Sequence, residues 1–192
     1  MTAGDGKTNL LGGVSDLASA RYLLADLHDD LSGKVMRFRH LADLGSDLGS
    51  GGTMLSGGST TYAAWIEARS SFVHGNYIAT VLLCQSLIEN LPAAFLDEGL
   101  TPDQLPPRVA FKQTLTRCQA KNLISDQDRH ELERLMSLRN PLSHFQTFED
   151  GQNLDRRAVD AGLRPDEVLR RDAWFAIGLA VKILAKPPFR LG

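Results

Sequence analysis

Along nearly the whole chain, apolar residues recur at intervals of three and four, the period of a helix buried on one face. The strict alternation of a half-buried strand is absent. Near the start, Leu17, Leu24, Leu27, Leu31, Val35, Phe38 and Leu41 keep the helical spacing. They predict a helix capped by Ser15 and opening at Asp16, with Gly33 as a point of break or kink. Residues 45–59 are mostly Gly, Ser, Thr and Asp and read as a flexible connector.

The pattern resumes at Thr60. A helix over 62–74 is closed by Gly75, and Asn76 opens the next. Its run from Tyr77 to Cys84 is apolar almost all round, as expected of a helix at the centre of a bundle. Glu89 is the one charge between Tyr77 and Leu96, and Pro92 is expected to kink or end this helix. Thr101-Pro102-Asp103 and Pro106-Pro107 make a rigid link to a third helix over 108–122. Ser125, with Asp126 and Asp128 in the first turn, starts a fourth. Residues 148–162 form a polar connection with one turn over 154–159, and a last helix runs from Pro165 to Pro187-Pro188. The expected fold is all-α: an up-and-down helical bundle over 60–192, preceded by an extra N-terminal helix and its connector over 1–59.

Composition narrows the function classes. The 192 residues are 43% hydrophobic and 23% charged, with a net charge of -2, so no global basic field advertises nucleic-acid binding. Cys84 and Cys118 lie in apolar helical contexts without a CxxC, and read as reduced core thiols of a cytoplasmic protein. The most apolar windows, 77–84 and 173–185, are too short or too interrupted to predict a membrane span. Gly6-Lys7-Thr8 lacks the preceding glycine and strand of a phosphate loop. His28, His40, His74 and His130 have no companions at metal-ligand spacing, and neither metal nor cofactor is expected.

Candidate chemistry concentrates at the end of the fourth helix, in Leu138-Arg139-Asn140-Pro141-Leu142-Ser143-His144-Phe145. Arg139 follows Met136, Leu135 and Leu132 by three, four and seven positions, which puts a permanent charge on the leucine stripe. Glu89 also belongs to a helix that otherwise buries apolar residues, so the two are expected to pair. Pro141 is expected to break the helix, with Asn140 capping a fresh turn and the bend bringing Arg139 and His144 to one pocket. The plainer alternative is an Arg139–Glu89 strut between helices and a half-exposed His144 with no chemistry.

Arg139-Asn140, three residues and His144 resemble the R-N-x-x-x-H signature of HEPN domains (higher eukaryotes and prokaryotes nucleotide-binding). Gly75-Asn76-Tyr77 and Gln85-Ser86-Leu87-Ile88-Glu89 resemble the long helices opening that domain. Arg171-Asp172-Ala173 through Lys186-Pro187-Pro188-Phe189 resembles the closing helix of bacterial members. The resemblance covers residues 60–189. It implies a metal-independent endoribonuclease, toxin-like or acting in defence, that leaves 2′,3′-cyclic phosphate and 5′-OH ends. Arg139, Asn140 and His144 would be catalytic, and Glu89 would hold the arginine. It also implies a homodimer meeting through the Arg139–His144 region, with RNA as partner and room for a protein regulator. The alternative it leaves open is a non-catalytic dimerisation module that binds a nucleotide, RNA or a protein. Arg108, Lys112, Arg117 and Lys121 split over two helix faces and read as solvated charges. Arg156-Arg157, Arg164 and Arg170-Arg171 make a better basic cluster, with Arg170 and Arg171 as weak candidates for substrate contact, diluted by five nearby acids.

Overall fold

A computed structural model describes residues 17–48, 55–98 and 105–189. Residues 1–16, the middle of the Gly/Ser connector, the Thr101-Pro102-Asp103 link and the Leu27 side chain lie outside the described residues, so the readings made on them stand as expectations. The elements are α1 (Leu17–Asp29), α2 (Leu31–Gly45), a 3-10 turn (Ser46–Leu48), α3 (Gly58–His74), α4 (Tyr77–Glu98), α5 (Phe111–Ala120), α6 (Asp126–Ser143), α7 (Leu154–Ala161), α8 (Pro165–Leu184) and a 3-10 turn (Pro187–Phe189). Among the described residues there is no strand, and the all-α expectation holds.

The apolar run from Tyr77 forms the centre. α4 packs against α3, α5, α6 and α8, and Val81, Cys84, Leu87, Ile88 and Leu91 are buried among Ala68 and Phe72, Leu115, Leu132 and Leu135, and Ala176 and Ile177. Pro92 does not end α4, which runs six residues past it to Glu98. The proline and its neighbour Leu91 are buried, and that packing offsets the one backbone hydrogen bond a proline forfeits. At 22 residues, α4 is long and apolar enough to cross a membrane, contrary to the expectation from its shorter apolar window. In this fold its sides are covered by four other helices. α8 is as deeply buried as α4, with ten buried residues, and runs from Pro165 as expected.

The start of α6 also follows the sequence. Ser125 caps it, the Ser125 hydroxyl accepting from Asp128 N at 3.1 Å while the Asp128 carboxylate accepts from Ser125 N at 2.8 Å. Asp128 is buried, and Lys182 (3.2 Å) in the last turn of α8 and Lys186 (2.6 Å) just beyond that helix reach it. Burial alone would raise its pKa. The hydrogen bonds from Lys186, the Ser125 backbone and hydroxyl, and Lys182 outweigh burial and hold the carboxyl far below the usual carboxylate range. This cluster ties the beginning of α6 to the end of α8.

The N-terminal segment departs from expectation in two ways. The helix breaks at Asp30, not Gly33, and its apolar stripe is largely uncovered: Leu17, Leu24, Leu31, Val35 and Phe38 are exposed and Leu41 alone of the described stripe is buried. α2 nonetheless docks on α3 and α8, through a residue the apolar pattern does not mark. Arg37 is 3% exposed. Its Nε donates to Val73 O at 2.9 Å, Nη1 to the Tyr77 hydroxyl at 3.5 Å, and Nη2 is paired with the Asp30 carboxylate. Gly33 makes room for this arrangement, and Gly75 supplies the turn beside it. A Cβ at Gly33 would collide with the Asp30 carboxylate, and Gly75 closes α3 at φ +78°, a left-handed conformation that favours glycine.

Candidate functional site

α6 carries the motif to its very end. Pro141 lies inside the helix, which continues to Ser143 with His144 as its C-cap, so the expected break at Asn140-Pro141 does not occur. Leu138 is buried and Leu142 packs on the core. Their burial on the same face keeps Asn140 and Pro141 helical, against the local preference for a bend. Asn140 therefore does not cap a new turn. Its carbonyl accepts from His144 N at 2.9 Å, and the Ser143 hydroxyl donates to Arg139 O at 3.3 Å.

On this unbroken turn Arg139 and His144, five residues apart, stand roughly 140° apart around the helix axis. They share one helix end but do not converge on a single pocket within one chain. Arg139 is half-buried, at the flank of the leucine stripe. Among the described residues its guanidinium has neither an ion-pair nor a hydrogen-bond partner. The expected Glu89–Arg139 pair is not formed. Glu89 Oε1 accepts instead from Gln85 Nε2 at 2.9 Å, one turn earlier on α4, and Glu89 borders a recess of about 460 Å³ with Asn90 and Leu105. A neutral neighbour on its own helix satisfies the carboxylate, which removes the need for a partner across the bundle.

His144 is exposed, and Phe145 beside it is 94% exposed. Phe148 is also largely exposed, with Arg156 5.8 Å from its ring centre. Gln146 Oε1, two residues past His144, is buried with no donor among the described residues. The exposed Phe145–Phe148 surface escapes a reading based on charged and titratable residues; two phenylalanines in a polar connection were the signal for it.

The basic cluster is mostly neutralised. Arg156 pairs with Asp160 at 3.0 Å, Arg164 with Asp166, and Arg157 makes a two-pronged bond to the buried Asp172 at 2.7 and 2.9 Å. Arg170 and Arg171 are exposed on α8, and Arg171 borders a recess of about 410 Å³ with Arg134, Arg157, Asp160 and Asp172. A larger cavity, about 1010 Å³, lies along α2 and is lined by His28, Val35, Met36, Arg39, His40 and Trp174 among others. The His40 ring lies 4.2 Å from Trp174, and burial lowers its pKa against the pull of Asp43. Cys84 and Cys118 are buried thiols, not joined in a disulfide. Burial pushes the Cys84 pKa up. Among the described residues no group of three His, Cys, Asp or Glu is arranged to hold a metal ion.

Compared with protein-family models, with curated proteins and with solved structures, the chain matches none.

Proposed function

We propose that this protein is an endoribonuclease of the HEPN type, working without a metal from paired copies of the α6 end. The observation that carries the reading is the Arg139 guanidinium, without a partner among the described residues, near the end of the helix that the exposed His144 caps. A half-buried arginine without a carboxylate is free to take one, and a phosphate offers the same two-pronged acceptor geometry.

The chemistry needs few groups. The ribose 2′-oxygen attacks the adjacent phosphorus, an O–P bond forms, and the P–O5′ bond breaks. His144 takes the 2′-hydroxyl proton on a ring nitrogen as general base. A second imidazole, from a facing copy, gives a proton to the departing 5′-oxygen, which leaves a 2′,3′-cyclic phosphate and a 5′-OH. Arg139 holds the phosphoryl oxygens as negative charge builds on them, and Asn140, on the same turn, orients the phosphate. The separation of Arg139 and His144 around the axis supports a site completed between two chains. Arg170 and Arg171 remain secondary contacts to the RNA backbone.

The 94% exposure of Phe145 favours a second reading, a non-catalytic module that uses this surface to bind RNA, a nucleotide or a protein regulator. One experiment separates them. Varied RNAs are incubated in EDTA with wild type and with His144→Ala, and the ends of the products are analysed. The nuclease reading expects cyclic-phosphate ends from wild type, a loss of roughly 10²–10⁴ in rate for the variant, and RNA binding close to wild type. Intact RNA with the wild-type protein across all substrates sinks it and leaves the binding module.

A further inference from the structure

We propose that the recess between α6, α7 and the first half of α8 binds the dianionic phosphate of a phosphate monoester. Each of the three helices contributes an arginine to its lining: Arg134 from α6, Arg157 from α7 and Arg171 from α8. Asp160 and Asp172 line it too, and Leu163 and Val168 give it an apolar wall. Its volume of about 410 Å³ is that of a small-molecule site.

Both acids are already matched. Asp172 is 4% exposed and accepts from two nitrogens of Arg157, at 2.7 and 2.9 Å. The two oxygens of Asp160 accept from Arg156 Nε, each at 3.0 Å. Arg134 and Arg171 are left with neither a carboxylate nor a hydrogen-bond acceptor for their guanidiniums among the described residues. Both side chains are exposed, so a ligand can reach them. The Arg134 guanidinium lies 4.3 Å from the centre of the Phe175 ring. Contact with a ring face holds a guanidinium in place and leaves its N–H donors for an acceptor. Arg157, fixed by the buried Asp172, keeps donors beyond the two it gives away.

The charge balance selects the ligand. With the two matched pairs set aside, two positive charges in the recess have no counter-charge. A phosphate monoester carries about -1.5 to -2 at neutral pH and offers three acceptor oxygens. A diester linkage of a nucleic-acid strand carries a single negative charge. A carboxylate has only two oxygens, in one plane with its carbon, and suits a single guanidinium fork better than arginines arriving from three helices. Arg134 and Arg139 stand roughly 140° apart around α6, so the recess is separate from the Arg139 side of that helix. Binding here does not depend on RNA cleavage.

Calorimetric titration of the full chain with ethyl phosphate at neutral pH tests the site. Wild type is expected to bind it roughly 10-fold or more tightly than diethyl phosphate or succinate. Arg134→Gln and Arg171→Gln, with helical circular dichroism unchanged, should each weaken binding by roughly 10–100-fold. Lys112→Gln, the same change of charge on an exposed residue of α5, should have no effect. Asp160→Asn should tighten binding by about 3–10-fold, because one negative charge leaves the recess. Damage to the fold would not act in that direction. An RNA oligonucleotide with a 5′-phosphate, set against the same strand with a 5′-hydroxyl, separates the carriers. A preference for the phosphorylated end that is lost in Arg134→Gln assigns the monoester to an RNA terminus, and equal binding assigns it to a small molecule. Three results overturn the proposal: no binding of ethyl phosphate at millimolar concentration, diethyl phosphate or succinate bound as tightly, or wild-type affinity in both arginine variants.

Discussion

Arg37 on α2 and Arg139 on α6 each sit among the apolar residues of a helix, yet they end in opposite circumstances. Arg37 is 3% exposed and has three partners: Val73 O, the Tyr77 hydroxyl and Asp30. Arg139 is half-buried and has none among the described residues. The difference lies in what surrounds each guanidinium. The end of α3 offers Arg37 a carbonyl that the helix leaves unsatisfied, and Gly33 clears the space. The carboxylate that the sequence offers to Arg139, Glu89, accepts instead from Gln85. A buried arginine satisfied within the fold holds helices together, and a half-buried one without a protein partner among the described residues keeps its donors for a ligand.

The sharpest way to break this contrast is to remove Arg37. Arg37→Ala leaves Val73 O without its donor, Asp30 without its counter-charge and a void under α2. A loss of about 2–4 kcal/mol is expected, which lowers the melting temperature by roughly 5–15 °C for a chain of this size. A variant that melts within a degree or two of wild type would make Arg37 as dispensable as Arg139.

Asp128 extends the contrast to an acidic residue satisfied on every side. Its folded pKa is depressed, so the stability it supplies is fully present above the ordinary carboxylate value of about 4 and is lost as pH falls below it. Asp128→Asn should cost about 1–2 kcal/mol at neutral pH, since the asparagine keeps one acceptor for Ser125 but loses the charge that holds Lys182 and Lys186. Stability measured from pH 7 down to pH 2 should fall less steeply in the variant than in wild type. Parallel curves would show that the lysines do not depend on this carboxylate.

The two arginines also show where the sequence speaks and where it is silent. α4 was legible because a stretch with one charge can only be buried. The start of α6 was legible because Ser125 and Asp128 sit at capping-box spacing, and α8 because Pro165 opens it. Local signals misled where tertiary packing overrode them. Pro92 and Pro141 stay inside helices because Leu91 and Leu142 are held by the core and Leu138 is buried beside them. Gly33 read as a hinge, but it clears space for a carboxylate brought round from Asp30, which spacing along one helix does not reveal. The motif at Arg139, Asn140 and His144 was visible as residue types. Whether Glu89 would reach Arg139 depended on Gln85 lying one turn away on the same helix, a competition that apolar periodicity does not register.

Gly33 gives a smaller effect of unusual sign. An exposed helical Gly→Ala change ordinarily stabilises by up to about 1 kcal/mol. At Gly33 the new methyl group displaces the Asp30 carboxylate from Arg37, so Gly33→Ala is expected to bring no gain, and a small loss in thermal melts. A gain of the full helical increment would mean that the Asp30–Arg37 pair contributes little.

The smallest expected effect is the most useful for the function. Had Glu89 and Arg139 formed a buried pair, Arg139→Ala would have unfolded the site, and its inactivity would have meant little. With no such pair, Arg139→Ala removes a half-buried side chain that makes no hydrogen bond among the described residues and strands no charge among them. It should therefore melt within about 0.5 kcal/mol of wild type. Any loss of RNA binding or cleavage in that variant then reports on the phosphate contact itself. Binding should weaken and its salt dependence should flatten by roughly one ion, because one guanidinium no longer displaces a counterion. His144→Ala should leave both binding and melting close to wild type. A large drop in the melting temperature of Arg139→Ala would point to a structural role for Arg139 and remove the free guanidinium on which the nuclease reading rests.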